Sequence, residues 1–576
     1  MEELQTWITN PLEDVFRTTR KPNCGWGSRI EEHILCIAQN ARESIQLAVY
    51  AGETPAQDCY LEIIPGEDCK DNGVSFDYGG IRLLHTHGQS LNIQEKVKRC
   101  ELPGELPECI DPAPMTVMNN QSGGFFITAQ TAKNAVPGVY EYTARLHYGL
   151  GRKKKPHIHD HKFKVEVFNV SIPDAAASDY HHELWVNFCG GSMPQDAEYP
   201  YSDNFESNAR VFGIKTFSEE WFRLIENYAR VLKNERMNVV TIPYYALLYR
   251  NVKIGENGEY EFDFTVFDRV INIFREYGDV KYFCGLHLME KAATMLGMEP
   301  GEYDFPLVTA VFDPKTDNID DFRWVYMNDE RAWTHIKNLL SAVYDHVKRL
   351  GLENQWLQHV SDEVEGDEAF DAVHKCYELV HEIAPEFKTI DATWPSSLEH
   401  YGDVLDIHVP ALYVHDENSE KYAEALQKKK IDVWTYTSLQ PQFTYMSRLD
   451  DWKLIATRLL HWYNFKYDLN GYLCWSWNWW FYGDPWEDSC CGGWPLDGWV
   501  VFPDVKNLSV TESVRIRECT SGIYDIELLK ICDKIDSKRT RMLVDLLIDR
   551  ANNFTVDSDV FFRVRRVLLE MASEKE

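Results

Sequence analysis

From about residue 28 to 172, apolar and polar positions alternate in short runs. SIQLAVY (44–50), CYLEII (59–64), VSFDYGGIRLLH (74–85), GGFFITAQ (123–130), VYEYTARLHY (139–148) and KFKVEVFNVSI (162–172) are rich in β-branched and aromatic residues, with Gly, Pro, Asn and Asp clustered between them. Evenly spaced short strands separated by turn signals predict a β-sandwich. Val136-Pro137-Gly138 reads as a turn feeding the strand at Val139, and Ile172-Pro173-Asp174 as the exit from the domain.

The period then changes. ELWVNF (183–188), NVVTIPYY (238–245), VKYFCGLHL (280–288), WLQHV (356–360), KTIDATW (388–394), DVLDIHVP (403–410), IDVWTYTSL (431–439) and GYLCWSW (471–477) read as strands. Between most of them lie stretches of helical period: 218–237, 264–277, 329–350, 367–384, 417–429 and 449–465. Ser218 is placed as an N-cap with Glu219-Glu220 in the first turn, and Asn328 as the cap of the helix after it. Eight strands alternating with helices predict a (β/α)8 TIM-like barrel with insertions. A doubly wound open sheet is the competing fold, but no Gly-rich GxGxxG turn follows the first strand, which argues against nucleotide binding. Beyond 508 the pattern is helical, at 528–548 and 560–575. The expected organisation is α/β and multidomain: an N-terminal β-sandwich over 1–175, the barrel over 176–507 and a C-terminal helical region over 508–576 that packs on it.

Composition narrows the function. The net charge is −32, and so acidic a body repels phosphate backbones, which makes nucleic acid an unsuitable partner. The one basic cluster, Arg152 to Lys155, is too small to change this. No run of 18 apolar residues is present, so a spanning helix is not expected. The start MEELQTWITNPLEDVF lacks the basic and apolar regions of a secretory signal, and the expected location is cytoplasmic. The 14 cysteines form no CxxC pair; they read as reduced core thiols, and no metal site is expected. Aromatic residues reach 13%, and ten of the 18 tryptophans fall between 434 and 499. Such rings suit the flat faces of sugars, although a Trp-rich core would use the same residues.

In a barrel of this type chemistry sits at the C-terminal ends of the strands. His359-Val360-Ser361-Asp362-Glu363 places two adjacent carboxylates after the fourth strand. Two carboxylates close together push one pKa up, as a general acid requires, yet the same residues would also serve as an acidic first turn for the next helix. Trp434-Thr435-Tyr436 and Trp475-Ser476-Trp477-Asn478 end two later strands. His408 and His287 stand on or just beyond apolar strands, where a satisfied core histidine is the competing reading. No GxSxG elbow, phosphate loop or HExxH occurs, so serine hydrolase, kinase and zinc protease readings have no support.

Taken together, Glu183-Leu184-Trp185-Val186-Asn187, the stretch 208–245, Ser361-Asp362-Glu363, Ala384-Pro385-Glu386-Phe387-Lys388, Trp434-Thr435-Tyr436 with Pro441, Gly471 to Trp475 with Asn478, Asp497-Gly498 and Ser513-Val514-Arg515 resemble glycoside hydrolase family 123. The likeness extends over nearly the whole chain and includes the broader domain-of-unknown-function family 4091. It implies a retaining, exo-acting β-N-acetylgalactosaminidase that needs no cofactor or metal and acts on oligosaccharides or glycoconjugates. Carried over, Asp362 would orient and stabilise the substrate's 2-acetamido group as its carbonyl oxygen attacks the anomeric carbon. Glu363 would protonate the departing oxygen and then deprotonate water. From their position at the predicted strand ends and their chemistry, rather than from the resemblance, Asn187, His287, His408, Trp434, Tyr436, Trp475 and Asn478 are expected to line the substrate pocket, with Tyr436 donating to the acetamide oxygen. Val364 stands where family members often have Pro, and Leu496 where Gly is common. These departures point toward a divergent substrate, and a glycosidase of another sugar specificity or an inactive carbohydrate-binding barrel are the alternatives.

Overall fold

The computed structural model describes residues 4–21, 34–150, 154–188, 211–248, 252–255, 259–299, 302–312, 322–394, 397–402, 404–429, 431–440, 442–480, 484–487, 490–491, 494–495 and 497–574. Of the positions singled out in the sequence, Arg152, Pro441, Leu496 and residues 208–210 lie outside these.

The N-terminal part is two five-stranded sheets. One runs in the order Gln5–Thr9, Arg42–Ala51, Gln121–Thr131, Val74–Thr86, Gly104–Asp111, and the other Ile34–Gln39, Lys155–Ser171, Gly138–Leu150, Ala56–Pro65, Met115–Val117. All neighbours are antiparallel except Ile34–Gln39, which lies parallel to Lys155–Ser171. In Gly138–Leu150 the buried side chains Tyr140, Tyr142, Ala144 and Leu146 alternate with more exposed ones, as a half-buried strand requires. Arg42–Ala51 is buried along its whole length.

Eight parallel strands close the barrel: β1 (His181–Leu184), β2 (Val239–Ile242), β3 (Tyr282–Gly285), β4 (Trp356–His359), β5 (Lys388–Thr393), β6 (Ile407–Pro410), β7 (Asp432–Tyr436) and β8 (Gly471–Cys474), with β8 returning to β1 in the register His181↔Gly471 to Leu184↔Cys474. Around them lie α1 (Glu219–Asn234), α2 (Thr265–Tyr277), α3 (Glu330–Arg349), α4 (Asp367–Ile383), α5 (Ser419–Lys429) and α6 (Leu454–Lys466). Ser218 caps α1 by accepting the Trp221 amide. The cap of α3 is Asp329, one residue after the expected Asn328, and its carboxylate accepts the Arg331 amide. The strands are shorter than the apolar runs that announced them. β1 stops at Leu184, so Trp185, Val186 and Asn187 belong to the loop above the barrel rather than to its wall. After β3 the chain builds a three-stranded sheet (Glu290–Lys291, Leu307–Phe312, Phe322–Tyr326) before α3.

Helix α7 (Val514–Asp545) follows β8 and packs on α6; its backbone leaves the helical region at Asp536. It begins well before the expected residue 528. Helix α8 (Ser558–Ser573) lies against α7 and the sandwich strand Lys155–Ser171. The three parts meet around buried charge. Arg458 of α6 bonds Glu43 of the sandwich (2.7 Å), Glu518 (2.9 Å) and Asp525 (2.8 Å) of α7. Arg565 of α8 reaches Asp525 (2.6 Å) and Glu43 (3.0 Å). Among the described residues no helix is long and apolar enough to cross a membrane.

Candidate active site

Beyond β4 the chain runs Val360-Ser361-Asp362-Glu363 over the C-terminal rim of the barrel. Leu288 and Met289 donate their amides to the Val360 carbonyl (both 3.0 Å), the Glu363 amide bonds the Ala392 carbonyl (3.2 Å), and the Trp394 indole donates to the Glu363 carbonyl (3.1 Å). Glu363 is held at φ +45°, in the left-handed region that side-chain-bearing residues rarely adopt. This turn points the Glu363 carboxyl along the rim toward β7, where the Tyr436 hydroxyl donates to Oε1. Lys291, in the sheet inserted after β3, brings Nζ to 3.7 Å from Oε2.

Burial raises the Glu363 pKa, and the neighbouring Asp362 carboxylate raises it further; Lys291 and the Tyr436 hydroxyl oppose both. The result is a carboxyl that keeps its proton to higher pH than an ordinary glutamate. Burial, then the charge of Glu363, push the Tyr436 hydroxyl far above the usual phenol, so it remains a donor throughout the working range. Half-buried aromatic rings continue from this point: Trp394 meets Tyr413 edge-on at 6.3 Å, and Tyr413 meets Tyr445 at 6.4 Å.

Across the rim, the loops after β8 and β1 are stitched together. Asn478 accepts the Asn187 amide (2.8 Å) and donates to its carbonyl (3.0 Å), and the Trp479 indole donates to the Trp185 carbonyl (3.0 Å). Trp475 donates to Asp497 at 2.6 Å. Trp185 sets its edge against His287 (5.0 Å) and His359 (5.5 Å), and those two rings lie 5.1 Å apart. The strand ends thus bring Asp362, Glu363, Tyr436, His287, Asn187, Asn478 and Trp475 to one end of the barrel.

Two of the expected pocket residues lie elsewhere. Trp434 is fully buried and packs on His181, the first residue of β1, with ring centroids 5.2 Å apart. A Cβ on Gly471, the first residue of β8, would sit 2.4 Å from the Trp434 ring. Trp434 therefore plugs the N-terminal mouth of the barrel, one interior layer below Tyr436, two residues along on the same face. His408 is also fully buried, and its Nε2 meets the Gly402 carbonyl at 3.1 Å, on the segment that leads into β6.

Several residues of the site carry no strand-end signal in the sequence. Lys291 lies in an insertion. Glu183 and Asp391 lie within strands, where a carboxylate among apolar neighbours is the signal that could have found them. The barrel also gathers side chains of metal-ligating type that are far apart in sequence: Glu183, Cys284 and His359, and His287, His359 and Asp391. His359 belongs to both groups, and each of its ring nitrogens already faces a carboxylate, Nε2 on Glu183 (3.1 Å) and Nδ1 on Asp391 (3.2 Å). That arrangement suits an imidazolium. Burial disfavours the charge, but Cys284, Glu183 and Asp391 together raise the His359 pKa well above that of free imidazole.

The catalytic-domain model of glycoside hydrolase family 123 matches residues 203–532. Over 99% of both chains the fold is similar, at TM-score 0.71 and 14% identity, to a family 123 glycoside hydrolase from Clostridium perfringens, described for glycolipid glycan hydrolysis. A GH10 endoxylanase from a sugarcane soil metagenome aligns over 61% of this chain and 99% of its own at TM-score 0.34 and 11% identity. No curated protein matches the sequence. With the family model spanning more than half of the chain, and its match holding the rim on which Asp362 and Glu363 stand, the protein belongs to glycoside hydrolase family 123 and is a glycoside hydrolase.

Proposed function

We propose that the protein is a retaining exo-β-N-acetylgalactosaminidase that works by substrate assistance. The observation that best supports this is the Glu363 carboxyl, raised in pKa and set beside Asp362 at the mouth of the barrel. Glu363 gives its proton to the glycosidic oxygen while the substrate's own acetamide oxygen attacks the anomeric carbon from the opposite face. The C1–O bond breaks, the aglycone leaves as an alcohol, and an oxazolinium ring forms. Asp362 orients the acetamide and stabilises the cation that develops on it, an interaction stronger in the transition state than in the neutral ground state. Glu363, now a carboxylate, takes a proton from water as water attacks the anomeric carbon, and two inversions leave the configuration unchanged.

The substrate class is the non-reducing end of an oligosaccharide or glycoconjugate. The glycan of a glycolipid falls within it, by likeness to the Clostridium perfringens relative. The test is release of 4-nitrophenol from the β-N-acetylgalactosaminide beside the β-N-acetylglucosaminide and the plain β-galactoside. Turnover of the first, lost by about 10²- to 10⁴-fold in Glu363→Gln, supports the proposal. Cleavage of the plain galactoside at the same rate would refute substrate assistance.

A further inference from the structure

The carboxylate of Asp391, buried in β5 beneath the Asp362-Glu363 turn, is not in the direct line of the reaction, yet four groups around it bond to it. Oδ1 accepts the Val360 amide (3.0 Å) and faces His359 Nδ1 (3.2 Å); Oδ2 accepts the Ser361 amide (3.1 Å) and the Tyr377 hydroxyl (2.6 Å). Each carboxylate oxygen thus has two hydrogen-bonding partners, which engages both of its lone pairs. His359 is gripped from its other side by Glu183, whose Oε1 also accepts the Thr241 hydroxyl at 2.9 Å. The pattern is a buried imidazole held between two carboxyl groups, spanning β1, β4 and β5.

These bonds determine how the chain leaves β4. Val360 and Ser361 turn both amides onto one side chain, and the next residues are Asp362 and Glu363. The neighbouring residue of β5, Ala392, takes the Glu363 amide through its carbonyl. A non-glycine residue at positive φ is strained and persists only where its surroundings over-determine it. Glu363 at φ +45° is such a residue, and the amides just before it are held by Asp391.

We propose that Asp391, clamped by His359 and Tyr377, is a positioning residue for the reaction: its carboxylate fixes the strained turn from which the Glu363 carboxyl reaches the glycosidic oxygen. The inference rests on the reading of Glu363 as the acid and base. Asparagine at 391 would replace one accepting oxygen by an NH2 group that faces N–H and O–H donors, and the turn would relax. The effect should fall on proton delivery and spare ground-state binding of the sugar.

The test compares kcat/KM for a glycoside with a sugar leaving group and for the 2,4-dinitrophenyl glycoside, which departs without a proton, together with the inhibition constant of the monosaccharide the enzyme releases. In a folded Asp391→Asn protein, kcat/KM with the sugar leaving group should fall about tenfold to a hundredfold, the scale expected for a misplaced catalytic group. The dinitrophenyl substrate should lose less than about threefold, and monosaccharide inhibition should be unchanged. Equal losses on both substrates, or weakened monosaccharide binding with kcat preserved, would overturn the inference. Should Asp391→Asn fail to give a cooperative melt, Tyr377→Phe decides. It removes one of the four donors and should lose severalfold on the sugar leaving group with the same sparing of dinitrophenol; unchanged rates would overturn the inference. Glu363→Gln is the reference. If it shows no dependence on the leaving group, the acid–base reading itself fails and this inference goes with it. If it does and Asp391→Asn does not, only the role of Asp391 is lost.

Discussion

The hydroxyl of Tyr436 at the end of β7 donates to Oε1 of Glu363 in the turn after β4. The bond crosses the rim and ties the proposed acid to the opposite half of the barrel wall. It also favours the charged form of Glu363, against the burial and the Asp362 charge that favour the neutral form. Tyr436→Phe should therefore raise the Glu363 pKa and also loosen its carboxyl. The descending basic limb of the kcat/KM profile reports the acid that must be protonated. In Tyr436→Phe that limb should move to higher pH, and the maximum should fall roughly tenfold, the worth of a hydrogen bond to a charged group. A profile superimposable on that of the wild type would show that the bond has no bearing on catalysis.

Lys291 and Asp362 act on the same carboxyl in opposite senses. Lys291 lowers the Glu363 pKa and Asp362 raises it. Lys291→Met should displace the basic limb upward. Asp362→Asn should displace it downward, and should also reduce kcat by about 10²- to 10³-fold through loss of the charge facing the oxazolinium. Opposite displacements in the two pH profiles are the signature; displacements of the same sign would contradict the electrostatic assignment.

Much of this fold was legible in the sequence. The eight barrel strands were readable because a strand buried on both sides is a near-continuous apolar run. Their ends were not, because the apolar run continues into loops that are themselves buried, as at Trp185 to Asn187. Helix α7 begins earlier than its apolar stripe suggests because its first turns bury Arg515, Arg517 and Glu518 in ion pairs, and charge hides the helical period. In the sandwich, Gly104–Asp111 carries Pro107 within it, and Gln5–Thr9 and Met115–Val117 are short outer strands with little pattern to read. The paired carboxylates stood out, whereas Lys291 did not, since nothing local marks a lysine in an insertion as facing a residue 72 positions later, Glu363 in the turn after β4. Nothing local separates Trp434 from Tyr436 in the sequence, because residues 434 and 436 share a face but occupy different layers of the interior.

That layer difference has a measurable consequence. Trp434→Ala should cost about 3–5 kcal/mol of stability, as expected for an emptied aromatic core site, while kcat and KM of the folded fraction stay near those of the wild type. Tyr436→Phe should do the reverse. A Trp434→Ala protein with unchanged melting but raised KM would return Trp434 to the substrate pocket.

The buried charges around Arg458 join the sandwich, the barrel and the terminal helices. Burial raises the Glu518 pKa to about 7 even with Arg458 beside it, and Arg458 and Arg565 face three carboxylates, Glu43, Glu518 and Asp525. Arg458→Met would strand buried carboxylates and should destabilise the protein by about 3–5 kcal/mol. Denaturant unfolding measures it. A loss below about 1 kcal/mol would mean that the three parts are not held through this cluster.

The claim that the substrate's acetamide is the nucleophile is tested most directly by weakening that nucleophile. The measurement is kcat/KM on 4-nitrophenyl β-galactosaminides bearing N-acetyl, N-fluoroacetyl, N-difluoroacetyl and N-trifluoroacetyl groups. Each fluorine withdraws electrons from the carbonyl oxygen. If that oxygen attacks the anomeric carbon, the rate falls steeply and progressively along the series. If it does not, kcat/KM stays nearly level across all four substrates, and the nucleophile must be sought in the protein or in water.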